Sequence, residues 1–231
     1  SALTGYLTSP DEAGLKNPVV ELPQSFAVYD GYFIFPPEKK EDVELVMGPN
    51  IKPFPVGKPL PQKLECKLLL KVGDNITTDD IMPSNARLLP YRSNIPELSK
   101  YCFGTITKDF RDRAQENGGG IILGGENYGQ GSSREHAALV PLYLGVKAII
   151  AKSFARIFFR NSINIGLPVL ICDTDRIDDQ DNLEIDLGKG IIRNLAKGTE
   201  LKFSPLPDVM IKLLNDGGLV EHITKNKGFN L

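Results

Sequence analysis

From Leu64 to Cys172 the chain sets short apolar runs against longer amphipathic segments, with glycine or polar residues at the joints. LECKLLLKV (64–72), GIILGG (120–125), VKAIIA (146–151) and LPVLIC (167–172) have the length and β-branched or leucine-rich content of buried strands. Between them, SSREHAALVPLYLG (132–145) and FARIFFRNSINIG (154–166) read as helices, the first with serines placed to cap its start. A charged piece, Lys108 to Asn117, reads as a further helix ending at three glycines, and 73–98 as a long loop with short helical turns. Such alternation predicts an α/β fold with a mainly parallel sheet and crossover helices. Beyond it, LEIDLGKGIIRNL (183–195) predicts a β-hairpin turning at Gly188–Gly190, 197–207 adds a strand, and DVMIKLLNDGG (208–218) a helix closed by glycines.

The first 62 residues follow another rule. They hold ten of the seventeen prolines, interrupted by short apolar pieces such as YFIFPP. Fixed φ angles and missing donors prevent a long helix or a central strand there. The expected organisation is an extended arm, 1–62, followed by an α/β domain, 63–231.

Composition narrows the function classes. The 27 basic and 29 acidic residues among 231 give −2 without a block of like charge, so nucleic acid is not indicated as a partner. No apolar run approaches the ~20 residues of a membrane helix, and no signal-peptide pattern opens the chain. The expectation is a cytoplasmic protein, or one of the mitochondrial matrix. Cys66, Cys102 and Cys172 match no metal or redox spacing and read as reduced structural thiols.

The stretch GGENYGQGSSREHA (124–137) lies where ligands bind in open α/β sheets, beyond the carboxyl end of a strand. Glycines there allow close backbone approach, and Ser132, Ser133 and Arg134 add donors suited to a carboxylate or phosphate. The phosphate loop, the dinucleotide fingerprint and the hydrolase elbow all fail on spacing. His136 reads as a surface or core-edge residue, and His222 is a weaker candidate still. The residues alone predict an anion site without a visible base.

ENYGQGSSREHAAL, KAIIAKSFARIFFRN and LPVL, together with GDNITTDDIMPSNARLLPYRSNIPE, resemble the C-terminal swivelling domain (domain 4) of aconitases. SALTGYLTSPDEAG resembles the end of the preceding domain, which makes the arm an interdomain linker. The resemblance implies a swivelling β/β/α domain and an aconitate hydratase interconverting citrate and isocitrate through cis-aconitate. It implies a [4Fe–4S] cluster ligated outside this chain by the remaining domains 1–3, so that the chain alone is inactive. By motif, Ser132 matches the base that removes the proton next to a substrate carboxylate. Ser133, Arg134 and Arg92 match residues that bind substrate carboxylates, and Asp79 an active-site aspartate. Asp80 departs from the pattern, since many aconitases carry histidine there, and the spacing from Asp79 to Arg92 is one residue longer than in mitochondrial-type members. A serine base is demanding: lowering a water-like pKa to 7 takes on the order of 12 kcal/mol, so the alkoxide must form transiently in a closed site. The alternatives are the small subunit of a related hydro-lyase, isopropylmalate isomerase or homoaconitase, and a non-catalytic module binding an anion or partner. Arg92 separates the aconitase reading from relatives acting on an apolar side group, because such a substrate offers it no third carboxylate.

Overall fold

A computed structural model describes residues 2–16, 18–39, 43–179 and 181–229, and the chain divides into two units, 1–46 and 47–231. The first unit has no helix or strand among its described residues. Its local order is a turn at Ser9–Gly14, where Ser9 and Glu12 exchange side-chain-to-backbone hydrogen bonds of 2.9 and 3.3 Å. Tyr29 and Tyr32 meet edge to face at 5.1 Å over the turn at Asp30–Gly31. Ile34 and Phe35 stand 98% and 75% exposed, so this unit buries no core of its own.

The second unit is built on seven strands, among the described residues: β1 (Lys63–Lys71), β2 (Gly120–Leu123), β3 (Val146–Ala151), β4 (Val169–Ile171), β5 (Asn182–Asp186), β6 (Ile191–Asn194) and β7 (Thr199–Lys202). Their order is β4-β3-β2-β1-β5-β6-β7. The β1–β2, β2–β3 and β3–β4 pairings are parallel; β1–β5, β5–β6 and β6–β7 are antiparallel. The α/β class, the crossover helices and the hairpin (β5–β6) are as the sequence predicts; the pairings divide evenly between parallel and antiparallel, and the hairpin joins the parallel half because β1 pairs on both sides. β1 manages this with alternation: Leu64, Cys66 and Leu68 enter one core, and a register shift before Leu70 turns Leu69 and Leu70 into the other.

Helices cover one face: α1 (Thr78–Ile81), α2 (Ile95–Leu98), α3 (Phe110–Glu116), α4 (His136–Tyr143), α5 (Arg156–Asn164), α6 (Asp208–Asp216) and α7 (Leu219–Asn226). On the other face the sheet curls, so that Ile121, Leu123, Ile150 and Leu170 pack in one cluster with Leu183, Ile185, Ile192 and Leu201. Ile121 and Ile122 are both fully buried, on opposite faces, each stabilising by about 1.5–3 kcal/mol. The curl nearly closes, since Ser204 N–H, just after β7, donates to the Ile171 carbonyl of β4 at 3.0 Å. The sequence reading omits α7, which buries His222 against Asp216 with Nδ1 2.7 Å from Oδ2.

Residues 47–62 pack on this unit. Lys52 N–H donates to the Ser93 carbonyl at 2.8 Å and Leu60 N–H to that of Leu214 at 3.3 Å. At Gly57 a Cβ would lie 1.9 Å from the Gly217 carbonyl oxygen, so only glycine permits the crossing.

Candidate active site beyond the end of strand β2

The chain leaves β2 at Leu123 and crosses to α4 through residues 124–135. Tyr128 anchors this loop: it is fully buried, its ring 5.9 Å from Phe154 and 5.3 Å from Phe158. Gly129 follows at φ +83°, where a Cβ would stand 2.2 Å from Phe158 Cγ. At Gly125 a Cβ would meet Asp74 Oδ1 at 1.9 Å. These glycines admit neighbouring protein, not a ligand as the sequence suggests; their role is to let two loops pack together.

The partner loop is 73–79. Asn127 Nδ2 donates to Asn75 Oδ1 at 3.1 Å and to Gln130 Oε1 at 2.9 Å, while Gln130 Nε2 donates to the Asn75 carbonyl at 2.9 Å. Thr78 N–H donates to the Gln130 carbonyl at 2.8 Å, and Ser132 N–H returns a bond to Thr78 Oγ1 at 3.1 Å. Asp80 is occupied in capping α1: its carboxylate accepts from Thr77 Oγ1–H at 2.6 Å and Thr77 N–H at 2.8 Å. That gives a structural reason for aspartate where many aconitases carry histidine.

The lacing fixes the five predicted residues in one neighbourhood. Arg134 lies between its two acceptors, with Nη2 donating to Asp79 Oδ1 at 2.6 Å and Nη1 to the Met82 carbonyl at 3.0 Å. Asp79 Oδ1 also accepts from Ser84 N–H at 3.1 Å. The Ser133 carbonyl accepts from Asn161 Nδ2 at 3.1 Å. Ser132 is exposed, and its hydroxyl makes no hydrogen bond among the described residues. His136 Nε2 sits 2.9 Å from the Arg92 carbonyl oxygen, bringing Arg92 to the same edge as Arg134. A cavity of about 20 Å³ lies between them, lined by Arg92, Arg134, His136 and Met82 among others, with space for one water. Nothing larger than a water is enclosed at this edge.

Several local expectations change. Ser132 and Ser133 do not cap α4, which starts at His136 with Glu135 at the N-cap and no side-chain cap bond. Their backbones are drawn away instead, to Thr78 and Asn161. His136 is a positioning residue for the Arg92 loop, and His222 lies elsewhere, in α7. Thr78 and Asn161, which hold the serines, carry no sequence signal, because their partners lie 54 and 28 residues away.

Among the described residues no group of three or more His, Cys, Asp or Glu could hold a metal ion. Cys102 lies in the helix-side core and Cys66 and Cys172 in the other, all buried. Burial pushes all three thiols up, Cys172 to about 11, so they are protonated and poor ligands at neutral pH. This chain's donors do not fit a [4Fe–4S] cluster. Among the described residues no helix is long and apolar enough to cross a membrane.

Comparison with known proteins shows the family. Residues 70–173 match the family described as Aconitase C-terminal domain. The 3-isopropylmalate dehydratase small subunit 2 of Archaeoglobus fulgidus is 52% identical over 156 residues, 68% of this chain and 92% of that protein. The small subunit 1 of Thermotoga maritima is 45% identical over 160 residues, 69% of this chain and 94% of that protein. A crystal structure of 3-isopropylmalate dehydratase from Methanocaldococcus jannaschii superposes with TM-score 0.66 at 39% identity, covering 71% of this chain and 95% of that one. These relatives are dehydratase small subunits and not aconitate hydratases. They support the hydro-lyase class that the sequence implies, and favour its alternative over citrate chemistry.

Proposed function

The chain belongs to the aconitase C-terminal domain family, and from that premise we propose that it is the swivelling module of an isopropylmalate-dehydratase-type hydro-lyase, inactive without a cluster-bearing partner. The observation that carries this is the exposed Ser132 hydroxyl, without a hydrogen-bond partner among the described residues, two positions before the Arg134 that pairs with Asp79. In this reading Ser132 Oγ takes the proton next to a substrate carboxylate. The carboxylate is held by the N–H groups of Arg134 not spent on Asp79 and Met82, and by Ser133. Asp79 keeps the guanidinium in place. The partner supplies the cluster and the wall that excludes water, without which an alkoxide is inaccessible. Residues 1–46, with apolar side chains such as Ile34 and Phe35 bare, are the linker that lies on that partner.

A second reading, citrate and isocitrate, is favoured by Arg92. Its carbonyl is tied to His136 and its exposed side chain is free to grip a third carboxylate. The test assays the complete enzyme, chain and cluster-bearing partner together, on 3-isopropylmalate and on citrate, with and without Arg92→Lys. Turnover of isopropylmalate indifferent to Arg92→Lys supports the first reading. Citrate turnover whose KM rises in Arg92→Lys supports the second. Turnover by the 231-residue chain alone refutes the modular reading.

A further inference from the structure

A second cationic cavity, of about 400 Å³, lies on the other side of the 83–88 segment, sharing Pro83 and Leu88 with the small cavity beside Arg134. Arg87, Lys100, Lys108 and Arg111 line it, and no acidic side chain does. Of the acids nearby in sequence, Asp112 is exposed and does not line the cavity, and two others are paired. Glu97 pairs with Lys100 at 2.5 Å, and Asp109 pairs with Arg113 at 2.8 Å. Arg87, Lys108 and Arg111 keep no carboxylate partner among the described residues. Arg113, on the same helix as Arg111, is used structurally, its Nη1 donating to the Leu69 carbonyl at 2.8 Å. Arg111 is different: its Nε is buried and has no acceptor.

A buried guanidinium N–H without an acceptor, beside two cations that have no carboxylate partner, is unfavourable unless a ligand supplies the oxygen. We propose that this cavity is a binding site for a phosphate dianion, free or carried by a small ester, with Arg111, Lys108 and Arg87 as its donors. Its wall is bonded to α1: Phe103 N–H donates to the Ile81 carbonyl at 2.8 Å and Thr105 Oγ1 to that of Asp80 at 3.2 Å. An occupant therefore rests on the reverse side of the helix that carries Asp79, apart from the Ser132 site.

The test is calorimetric titration of the full chain with inorganic phosphate at ~0.15 M NaCl, alongside ¹⁵N spectra that follow the Arg111 Nε–H signal. One saturable site is expected, with that signal shifting as phosphate is added. Arg111→Gln and Lys108→Gln should each weaken binding about tenfold, while Lys212→Gln, an exposed cation on α6, leaves it unchanged. Should Arg111→Gln fail to fold, the exposed Lys108→Gln and Arg87→Gln decide the matter. Tighter binding of glycerol phosphate than of inorganic phosphate assigns an ester, and the reverse order assigns the free ion. Absence of saturation up to ~10 mM, equal affinity in every variant, or an equal loss caused by Lys212→Gln would overturn the proposal.

Discussion

Replacing Arg134 by methionine removes two hydrogen bonds that differ in exposure, and exposure sets the size of each loss. The bond to Asp79 spans 2.6 Å, but Asp79 is 64% exposed and Arg134 18%. Solvent screening of the carboxylate holds such a pair to about 0.5 kcal/mol. The bond to the Met82 carbonyl, 3.0 Å long, ends on a residue only 2% exposed. A charged donor on a sheltered acceptor contributes about 1.5 kcal/mol, and methionine keeps most of the aliphatic packing. The expected loss is therefore about 2 kcal/mol. With a urea m-value of about 3 kcal/mol/M, the unfolding midpoint should fall by roughly 0.7 M at constant m. In a double-mutant cycle with Asp79→Asn, the coupling should be only about 0.5 kcal/mol. A coupling above ~2 kcal/mol, or a loss below ~0.5 kcal/mol in Arg134→Met, would refute the ranking of backbone anchor over ion pair.

Ser132→Ala should change stability by less than ~0.5 kcal/mol, since its hydroxyl bonds to nothing described, yet sharply lower kcat of the complete enzyme with little change in KM; equal kcat would remove Ser132 from the base role. Gly129→Ala should destabilise by about 3 kcal/mol in thermal or urea unfolding, combining a left-handed backbone with collision against Phe158. A loss below ~1 kcal/mol would show that the loop yields. Hydrogen bonds from Lys225 and then from His222 hold the Asp216 carboxyl below its ordinary 3.8. The stability this provides is complete above that pH and is lost as pH falls further, through the lowered value. Asp216→Asn should therefore flatten the acid limb of a stability-against-pH curve, and an unchanged limb would exclude the group as a contributor.

Much of the helix-side fold was legible because its periodicity is local. GIILGG, VKAIIA and LPVLIC became β2, β3 and β4, and FARIFFRNSINIG became α5. What escaped depends on distant partners. The equal share of antiparallel pairing follows from β1 meeting both β2 and β5, which no window of sequence displays. The site divided in the same way. The run Ser132–Arg134 reads as an anion site by residue type, whereas Thr78, Asn161 and the Met82 carbonyl enter only through contacts across the loops. His136 was undervalued for the same reason, since its partner is a backbone oxygen 44 residues away.

The double pairing of β1 also bears on how the protein is made. Lys63 pairs with Asp186, so the strand translated first in the compact unit waits for a neighbour 123 residues downstream. Until β5 leaves the ribosome, Leu64, Cys66 and Leu68 have no antiparallel half to enclose them. At ~5–20 residues per second the interval lasts roughly 6–25 seconds. A nascent chain is thus exposed along β1 far longer than along β3, whose neighbour β4 follows within one helix. Charged Lys63, Glu65, Lys67 and Lys71, spaced through the strand on its exposed positions, are suited to keep that waiting edge from pairing with another chain.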